Sequence, residues 1–179
     1  MARLPALAST LGDRILVLGS PGSGKTTLAR ALADATGLPC VHLDDEYFGP
    51  GWTPPPEQRW RDRLGELVSA PRWIIDGNHA GTLAARLPAA TGVVVLDEPP
   101  IRCLLRYARR TIGIALGPPE RVPRYMWDPA TARRRVVDRP VSFARFILGF
   151  RRTTLPDMLR TMAESFDGAV VVLGRHTGP

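Results

Sequence analysis

The sequence predicts a three-layer α/β sandwich, in which helices cover both faces of a five-stranded parallel sheet. Two observations lead to this prediction. Five short apolar runs recur along the chain, and segments with helical spacing of apolar residues separate them. The length of 179 residues and the hydrophobic content of 44% suit one domain with a full core. Because no internal repeat is visible, we expect residues 1–179 to form a single domain.

Short apolar runs mark the expected strands. Each contains Val, Ile or Leu at successive positions, as is typical of strands buried on both faces of a parallel sheet. The five runs cover residues 14–18, 40–43, 73–75, 92–96 and 169–173. The helical spacing between them predicts helices up to Gly37, over residues 57–69 and 82–87, from Ile101 onwards, around residues 143–150, and after a cap at Thr154.

Two further segments are expected to lie outside the sandwich. Residues 1–13 lack the apolar core of a signal peptide, so we expect a short, poorly ordered leader of a cytoplasmic protein. No apolar stretch has the length of a membrane span. Residues 113–140 combine weak periodicity with glycine and proline, which predicts a lid or mobile insertion. Cys40 and Cys103 have no paired spacing, so we expect free thiols.

The motif G-x-x-x-x-G-K-T lies between the first expected strand and the first long helical run. Its glycines permit positive φ and let backbone N–H groups curl around a phosphate, toward which the following helix dipole also points. Lys25 can reach the outer phosphates, and the hydroxyl of Thr26 can bind Mg²⁺. The motif therefore predicts an ATP-binding phosphate loop formed by Gly19, Ser20, Pro21, Gly22, Ser23, Gly24, Lys25, Thr26 and Thr27.

The cationic residues of the chain are distributed unevenly. Lys25 is the single lysine among 24 Lys and Arg residues, and a compact ammonium fits among phosphate oxygens where a planar guanidinium does not. Residues 101–160 hold fourteen arginines and four acidic residues, a net charge of +10, whereas the rest of the chain is at −3. Such a block fits contacts with polyphosphate and could attract nucleic acid, but a solvated arginine surface is the expected state of most single arginines.

Carboxylates follow the expected strands at their carboxyl ends, where parallel sheets bind ligands. Asp44 is our first choice for the residue that orients and deprotonates a phosphate acceptor, and Asp45 is the second. Asp76 is expected to hold Mg²⁺, directly or through water. Asp97 matches the same pattern of an apolar run followed by Asp, so the choice between Asp76 and Asp97 depends on the strand order, which the sequence leaves open.

Other side chains are expected to complete the site. Arg106, Arg109 and Arg110 lie at the base of residues 113–140, and at least one of them is expected to stabilise the charge on a transferred phosphoryl group. Four aromatic residues either form a wall for the acceptor or fill the core, namely Tyr47, Phe48, Trp52 and Trp60. We expect the acceptor to be bound by Asp44, Asp45, Trp52 and Asn78.

These motifs resemble those of P-loop small-molecule kinases related to adenylate and shikimate kinases, and most of all proteins labelled topology modulation protein. The resemblance spans about residues 14–173 and rests on Gly-Ser-Pro-Gly-Ser-Gly-Lys-Thr at 19–26, His-Leu-Asp-Asp at 42–45, Trp-Ile-Ile-Asp-Gly-Asn at 73–78, Leu-Asp at 96–97, and residues 146–152. It implies a P-loop NTPase fold of the nucleoside or nucleotide kinase type, with ATP and Mg²⁺ as cofactors.

The resemblance also implies roles for single residues. It makes Lys25 and Thr26 ligands of phosphate and Mg²⁺, and Asp76 the counterpart of the Asp in the Asp-Gly motif of adenylate-kinase-like proteins. His-Leu-Asp-Asp is similar to the Asp-Asp motif of uridine and nicotinamide riboside kinases, in which an Asp at the position of Asp44 lies against the acceptor hydroxyl. Asn78 is not followed by the Phe-Pro-Arg of adenylate kinases, so AMP is not the expected acceptor.

The leading expectation is an ATP-dependent phosphotransferase that acts on a nucleoside, a nucleotide or another hydroxylated metabolite, as a monomer or homodimer and without a membrane partner. One alternative is a nucleotide-dependent DNA-binding or topology-modulating regulator, although nucleic acid is not the favoured partner. Another is an ATPase switch, which would hydrolyse ATP without an acceptor.

Overall fold

The structure is a computed structural model that describes residues 3–118, 122–128, 130–131, 133–134, 136 and 140–174. The main sheet is parallel and consists of β1 (Arg14–Gly19), β2 (Cys40–His42), β3 (Trp73–Asp76), β4 (Gly92–Asp97) and β7 (Ala169–Gly174), in the order β2-β3-β1-β4-β7. A separate antiparallel pair is formed by β5 (Trp127–Asp128) and β6 (Arg133–Arg134).

Eight α-helices are described, with short 3₁₀ turns between some of them. The helices are α1 (Arg3–Leu11), α2 (Lys25–Thr36), α3 (Leu43–Tyr47), α4 (Glu57–Ser69), α5 (Leu83–Arg86), α6 (Pro100–Leu116), α7 (Pro140–Gly149) and α8 (Thr154–Ser165). The 3₁₀ turns cover Pro50–Trp52, Ala80–Thr82, Leu87–Ala89 and Arg124–Met126. Among the described residues, no helix has the length and apolarity needed to cross a membrane.

Two hydrophobic cores lie on opposite faces of the sheet, because successive side chains of a strand point to opposite sides. On one face, Leu16 and Leu18 of β1 pack with residues of α4, α5 and α8. On the other face, Ile15 and Val17 pack with residues of α1 and α2. The predicted three-layer α/β sandwich with a five-stranded parallel sheet is therefore confirmed.

The strand order brings the phosphate loop between two carboxylate-bearing strands. β1 pairs with β3 on one side, where Val17 lies opposite Asp76, and with β4 on the other, where Gly19 lies opposite Leu96. The loop leaves β1 at this edge, and α2 begins directly after it. Asp76 and Asp97, which the sequence could not rank, thus flank the loop from opposite sides.

The N-terminal segment differs from the expectation. Residues 3–11 form a helix, so the predicted poorly ordered leader is wrong for these residues. Ala8 and Leu11 are buried in the core that α1 shares with α2, and Leu4 and Leu7 pack against it. These four positions have the i, i+3, i+4, i+7 spacing of an amphipathic helix, a signal that was present in the sequence.

The segment expected to be a lid is partly regular. Helix α6 continues to Leu116, three residues past the expected start at Gly113, and Tyr125 and Met126 are buried in a 3₁₀ turn. This turn packs against Pro50–Trp52. Residues 119–121, 129, 132, 135 and 137–139 lie outside the described residues, so movement of the segment stays a prediction.

Two boundaries also shift. The second strand ends at His42, and Leu43 opens helix α3, because its side chain is buried beneath the sheet edge instead of extending the strand. Thr154 is the first residue of α8 and not its cap, and Thr153 occupies the N-cap position without a capping hydrogen bond from its side chain.

Candidate active site

The phosphate loop has a backbone that only glycine can adopt at several positions. Gly19, Gly22 and Gly24 have φ values of 143°, 80° and 103°, in the region that favours glycine. A Cβ at Gly22 would collide with the carbonyl oxygen of Cys103 on α6, and one at Gly19 would lie 2.6 Å from the carbonyl oxygen of Leu96. The loop is therefore packed directly against β4 and α6.

Lys25 begins helix α2 and folds back over the loop. Its Nζ donates a hydrogen bond to the carbonyl oxygen of Ser20 at 3.0 Å. Burial lowers the pKa of Lys25, and the nearby carboxylates of Asp76 and Asp44 oppose this shift. A phosphate oxygen in the loop would offer the ammonium a charged acceptor in place of a carbonyl. The geometry therefore suits binding of an anion.

Asp76 ends β3 next to the helix that follows the loop. Its Oδ2 accepts a hydrogen bond from Thr26 Oγ1 at 2.7 Å and lies 3.0 Å from His42 Nδ1. The side chain is buried, and its Oδ1 has no hydrogen-bond partner among the described residues. The hydrogen bond to Asp76 raises the pKa of His42, so His42 is protonated more readily than a free histidine.

The Thr26 and Asp76 pair fits the chemistry of Mg²⁺. Magnesium prefers oxygen ligands, and in nucleotide sites it is held by one or two protein oxygens together with the phosphates. The buried, unpartnered Oδ1 of Asp76 beside a hydroxyl offers such a set. No group of three or more His, Cys, Asp and Glu side chains forms a metal cluster in the described part of the chain. A metal here would accordingly depend on the phosphates for most of its ligands.

Asp97, the other candidate metal ligand, has a different partner. Both of its carboxylate oxygens lie 2.7 Å from nitrogens of Arg151, which follows α7. The adjacent Glu98 lies 3.3 Å from Arg102 and 3.5 Å from Arg106. Because a guanidinium already neutralises Asp97, this carboxylate is less suited to hold a metal than Asp76.

Asn78 binds the backbone of the phosphate loop. Its Oδ1 accepts a hydrogen bond from the Gly19 N–H at 3.0 Å, and its Nδ2 donates to the Gly19 carbonyl oxygen at 2.7 Å. Both polar groups of the amide thus contact the first glycine of the motif. These contacts indicate that Asn78 positions the phosphate loop, and its expected contact with the acceptor stays a prediction.

Arg86 is a functional candidate that the sequence interpretation missed. It is fully buried and donates hydrogen bonds to the carbonyl oxygens of Gly77, Asn78 and His79. Burial lowers the pKa of Arg86 to about 10. The signal in the sequence was an arginine within the small and apolar run at residues 83–87. Arg86 fixes the backbone that carries Asp76 and Asn78 toward the loop.

Asp44 lies in α3, directly after β2. Its Oδ1 is 3.3 Å from His79 Nε2. The partial loss of hydration would by itself raise the pKa of Asp44, but the hydrogen bond and charge of His79, with Lys25 and Arg110, lower it overall. The carboxylate is therefore held ionised beside Lys25. For Asp45 the direction is opposite, because burial raises its pKa.

Five aromatic side chains form a continuous set of ring contacts beside His79, and we call them the aromatic cluster: Tyr47, Phe48, Trp52, Trp60 and Tyr125. Tyr47 and Trp60 contact the His79 ring, with centroids 4.7 and 5.5 Å away. Tyr125 was missed from the sequence because it reaches the cluster from the distant 3₁₀ turn at Arg124–Met126. Its pKa is raised by burial and by the charges of Asp44 and Asp45.

The three arginines expected to assist catalysis occupy different positions on α6. Arg106 Nη1 lies 3.4 Å from the carbonyl oxygen of Ser23 in the loop. The charge of Arg110 acts on both Lys25 and Asp44, and its guanidinium lies 5.8 Å from the Tyr107 ring centroid. All three side chains are exposed, and Arg109 lies between the other two in the sequence. Arg106 and Arg110 are therefore better placed toward the site than Arg109.

The arginine-rich block is partly engaged within the protein. Besides the pairs with Asp97 and Glu98, Arg160 lies 3.3 Å from Asp157 on α8. Four of the fourteen arginines of the block therefore have a described carboxylate partner. Contact of the block with nucleic acid stays a prediction.

Comparisons with known proteins agree with this architecture. The family described as "ATPase family associated with various cellular activities (AAA)" matches residues 15–98, from β1 to just past β4. No curated protein matches the chain. A solved shikimate kinase from Acinetobacter baumannii in complex with shikimate is similar, with 22% identity and a TM-score of 0.53, over 93% of this chain and 86% of that chain.

Two other solved structures have lower TM-scores. A shikimate kinase from Bacteroides thetaiotaomicron is 17% identical, with a TM-score of 0.44, over 88% of this chain and 84% of that chain. A gluconokinase from Sinorhizobium meliloti is 19% identical, with a TM-score of 0.40, over 83% of this chain and 97% of that chain. The similarity to the Acinetobacter baumannii structure, together with the sheet described above, shows that this chain and that shikimate kinase share a fold.

Proposed function

We propose that the protein is an ATP-dependent phosphotransferase that moves the γ-phosphate of Mg·ATP to a hydroxyl group of a small acceptor. The observation that carries the proposal is that the charges of two carboxylates with different partners both act on Lys25. Asp76 binds Thr26, and Asp44 binds His79. In this proposal, Lys25 joins a metal-binding half that contains Asp76 to an acceptor half that contains Asp44.

The donor half consists of the loop and the residues that support it. Backbone N–H groups of the loop, apart from that of Gly19, which donates to Asn78, would surround the phosphates, and Lys25 would bind the outer ones. Thr26 and Asp76 would hold Mg²⁺, which supplies positive charge to the phosphate oxygens. Asn78 supports this arrangement because it fixes both polar groups of the Gly19 backbone.

The acceptor half depends on Asp44. In this role its carboxylate accepts the proton of the acceptor hydroxyl while the oxygen attacks the γ-phosphorus. The hydrogen bond from His79 orients the carboxylate, and the lowered pKa keeps it ionised. Asp45 is the weaker candidate, because it has no described hydrogen bond to His79 and its pKa is raised.

Arg106 and Arg110 would stabilise the charge that spreads over the transferred group. A well-oriented donor in such a site contributes on the order of 3 kcal/mol to transition-state stabilisation. Arg106 lies at the loop backbone, and Arg110 lies toward Asp44. The exposed Arg109 on the same helix provides a matched control.

The proposal is tested by measuring ADP formation from Mg·ATP with and without acceptors. The panel contains nucleosides, nucleotides, polyols, shikimate and gluconate. We expect one class to increase ADP release, and Asp44→Asn to lower that increase by at least 100-fold. Arg106→Met and Arg110→Met should reduce turnover, whereas Arg109→Met should not. A protein that binds ATP but forms ADP at the same rate with every acceptor as without one would contradict the proposal.

A further inference from the structure

Aromatic side chains surround His79, the hydrogen-bond partner of Asp44. In the aromatic cluster, Trp52 contacts Phe48 and Tyr125 with ring centroids 5.0 and 4.8 Å apart. Tyr47 and Trp60 contact the ring of His79, which binds Asp44. The cluster holds five of the twelve Trp, Tyr and Phe residues of the chain. Aromatic faces of this kind bind flat rings by stacking, largely independent of ring substituents.

Backbone strain is concentrated in the same place. Among the described residues, Trp52 and His79 are the two non-glycine positions with positive φ, at 63° and 32°. A bulky residue in this region is costly, and such strain is typical of functional sites. Trp52 and Phe48 are only half-buried, so part of their ring surface remains accessible. The strained backbone of Trp52 is therefore not explained by complete burial of its side chain in the core.

The cations around Asp44 have other partners. The positive groups that act on its carboxylate are His79, Lys25 and Arg110. His79 binds Asp44 itself, and Lys25 belongs to the phosphate loop. Arg86, whose guanidinium binds the backbone at His79, gives its donors to backbone carbonyls. Of the three positive groups that act on Asp44, Arg110 is thus the one left for an anionic acceptor.

We infer that the acceptor is a neutral alcohol with a flat aromatic or heteroaromatic ring, which is the chemistry of a nucleoside and not of a nucleotide or sugar acid. This inference rests on the proposed function. The ring lies against Phe48, Trp52 and Tyr125, and the hydroxyl points to Asp44. The acceptor O–H bond breaks as its proton passes to Asp44, its oxygen bonds to the γ-phosphorus, and the bond from that phosphorus to the β-phosphate oxygen breaks, so that ADP leaves.

The experiment compares acceptors that differ in ring and charge. Adenosine, guanosine, cytidine and uridine carry a ring and no charge, whereas their 5′-monophosphates carry both. Ribose has the hydroxyls without the ring, and shikimate is an anion without an aromatic ring. We expect at least one nucleoside to exceed its monophosphate, ribose and shikimate at least tenfold in kcat/KM for ADP release. Preference for any of the other three classes would overturn the inference and leave the kinase proposal intact.

A pair of tryptophan variants tests the ring contact directly. Trp52→Leu should raise the KM of the preferred nucleoside at least fivefold without changing the KM for ATP. Trp127→Leu is the matched control, because Trp127 is 39% exposed in β5 and lies outside the aromatic cluster. An unchanged nucleoside KM in Trp52→Leu would overturn the inference.

Thermal melting separates the inference from the proposed function if no acceptor increases ADP release. Each compound is added to wild type and to Trp52→Leu in the presence of ADP. A nucleoside that raises the Tm of wild type but not of Trp52→Leu would support the ring site and contradict phosphotransfer. No nucleoside-dependent shift in wild type would overturn both.

Discussion

Asn78 binds Gly19 at both polar groups of its backbone, with Oδ1 3.0 Å from the N–H nitrogen and Nδ2 2.7 Å from the carbonyl oxygen. The contact joins the end of β3 to the first residue of the phosphate loop. It sets the direction in which the chain leaves β1. Asn78, which lies far from the phosphate loop in the sequence, thus holds the first residue of that loop in place.

Replacement of Asn78 should weaken nucleotide binding. Asn78→Ala removes two hydrogen bonds, each contributing about 1 kcal/mol. The expected loss is roughly tenfold or more in ADP affinity, measured by isothermal titration. Gln58→Ala is the matched control, because Gln58 is an exposed amide on α4 that binds only Asp62 among the described residues. Equal ADP affinities in the two variants would contradict the assigned role of Asn78.

Gly22 should not tolerate a side chain. Gly22→Ala would place a Cβ against the carbonyl oxygen of Cys103 at a φ of 80°, so the loop must move and nucleotide affinity should fall at least tenfold. Gly65, inside α4, has nothing within 4 Å of a built Cβ. Gly65→Ala should raise the free energy of unfolding by about 0.5–1 kcal/mol through helix propensity. Chemical denaturation and ADP titration of both variants check this contrast.

Much of the fold could be predicted because its signals are local. The strands are continuous apolar runs, and the phosphate loop has a fixed spacing of glycine, lysine and threonine. The order of the strands in the sheet has no such local signal. It depends on how the helices pack against the sheet, and the apolar patterns of these helices are alike. The roles of Asp76 and Asp97 therefore emerged only from the partners that the fold brings to them, Thr26 for the first and Arg151 for the second.

The candidate site was only partly predictable for the same reason. Asp44 and Lys25 lie in short recognisable motifs. Tyr125 reaches Trp52 from a segment with weak periodicity, and no pattern links the two. The amide of Asn78 could bind a ligand, but its partner is the backbone of Gly19 at the end of β1, which the sequence does not indicate. Arginine is a residue type that is usually exposed, but Arg86 is fully buried.

Removal of Arg86 should destabilise the protein. Arg86→Met leaves buried carbonyl oxygens of Gly77, Asn78 and His79 without their donor, at a cost of about 3 kcal/mol in the free energy of unfolding. Arg59→Met, at an exposed position on α4, should change that free energy by less than about 0.5 kcal/mol. Urea denaturation of the two variants measures the difference, and equal stabilities would contradict the structural role of Arg86.

The effect of Arg86 should not depend on pH near neutrality. Its pKa is about 10 in the folded protein, below the ordinary value of an arginine, so the side chain is protonated in both folded and unfolded protein below about pH 9. The unfolded state binds more protons only between the two pKa values, where this group would make stability rise with pH. The Arg86→Met difference should consequently be constant from pH 6 to 8.

The pH profile of turnover should respond to His79. In wild type the lowered pKa of Asp44 keeps the base ionised, so this group should cause no loss of kcat/KM until the pH falls below about 4. His79→Phe keeps a ring in the aromatic cluster but removes the donor and its charge. Burial then raises the pKa of Asp44, and the acidic limb should move to higher pH. Identical acidic limbs in both proteins would contradict the pairing of His79 with Asp44.

The fate of the γ-phosphate tests the central claim most directly. The protein is incubated with Mg²⁺, ATP labelled at the γ-phosphate and the acceptor that most increases ADP release, and the products are separated. Phosphoryl transfer predicts one labelled acceptor molecule for each ADP formed, with both products lost in Lys25→Ala. Label found only in inorganic phosphate, in amounts that do not depend on the acceptor, would show an ATPase and contradict the proposed phosphotransferase.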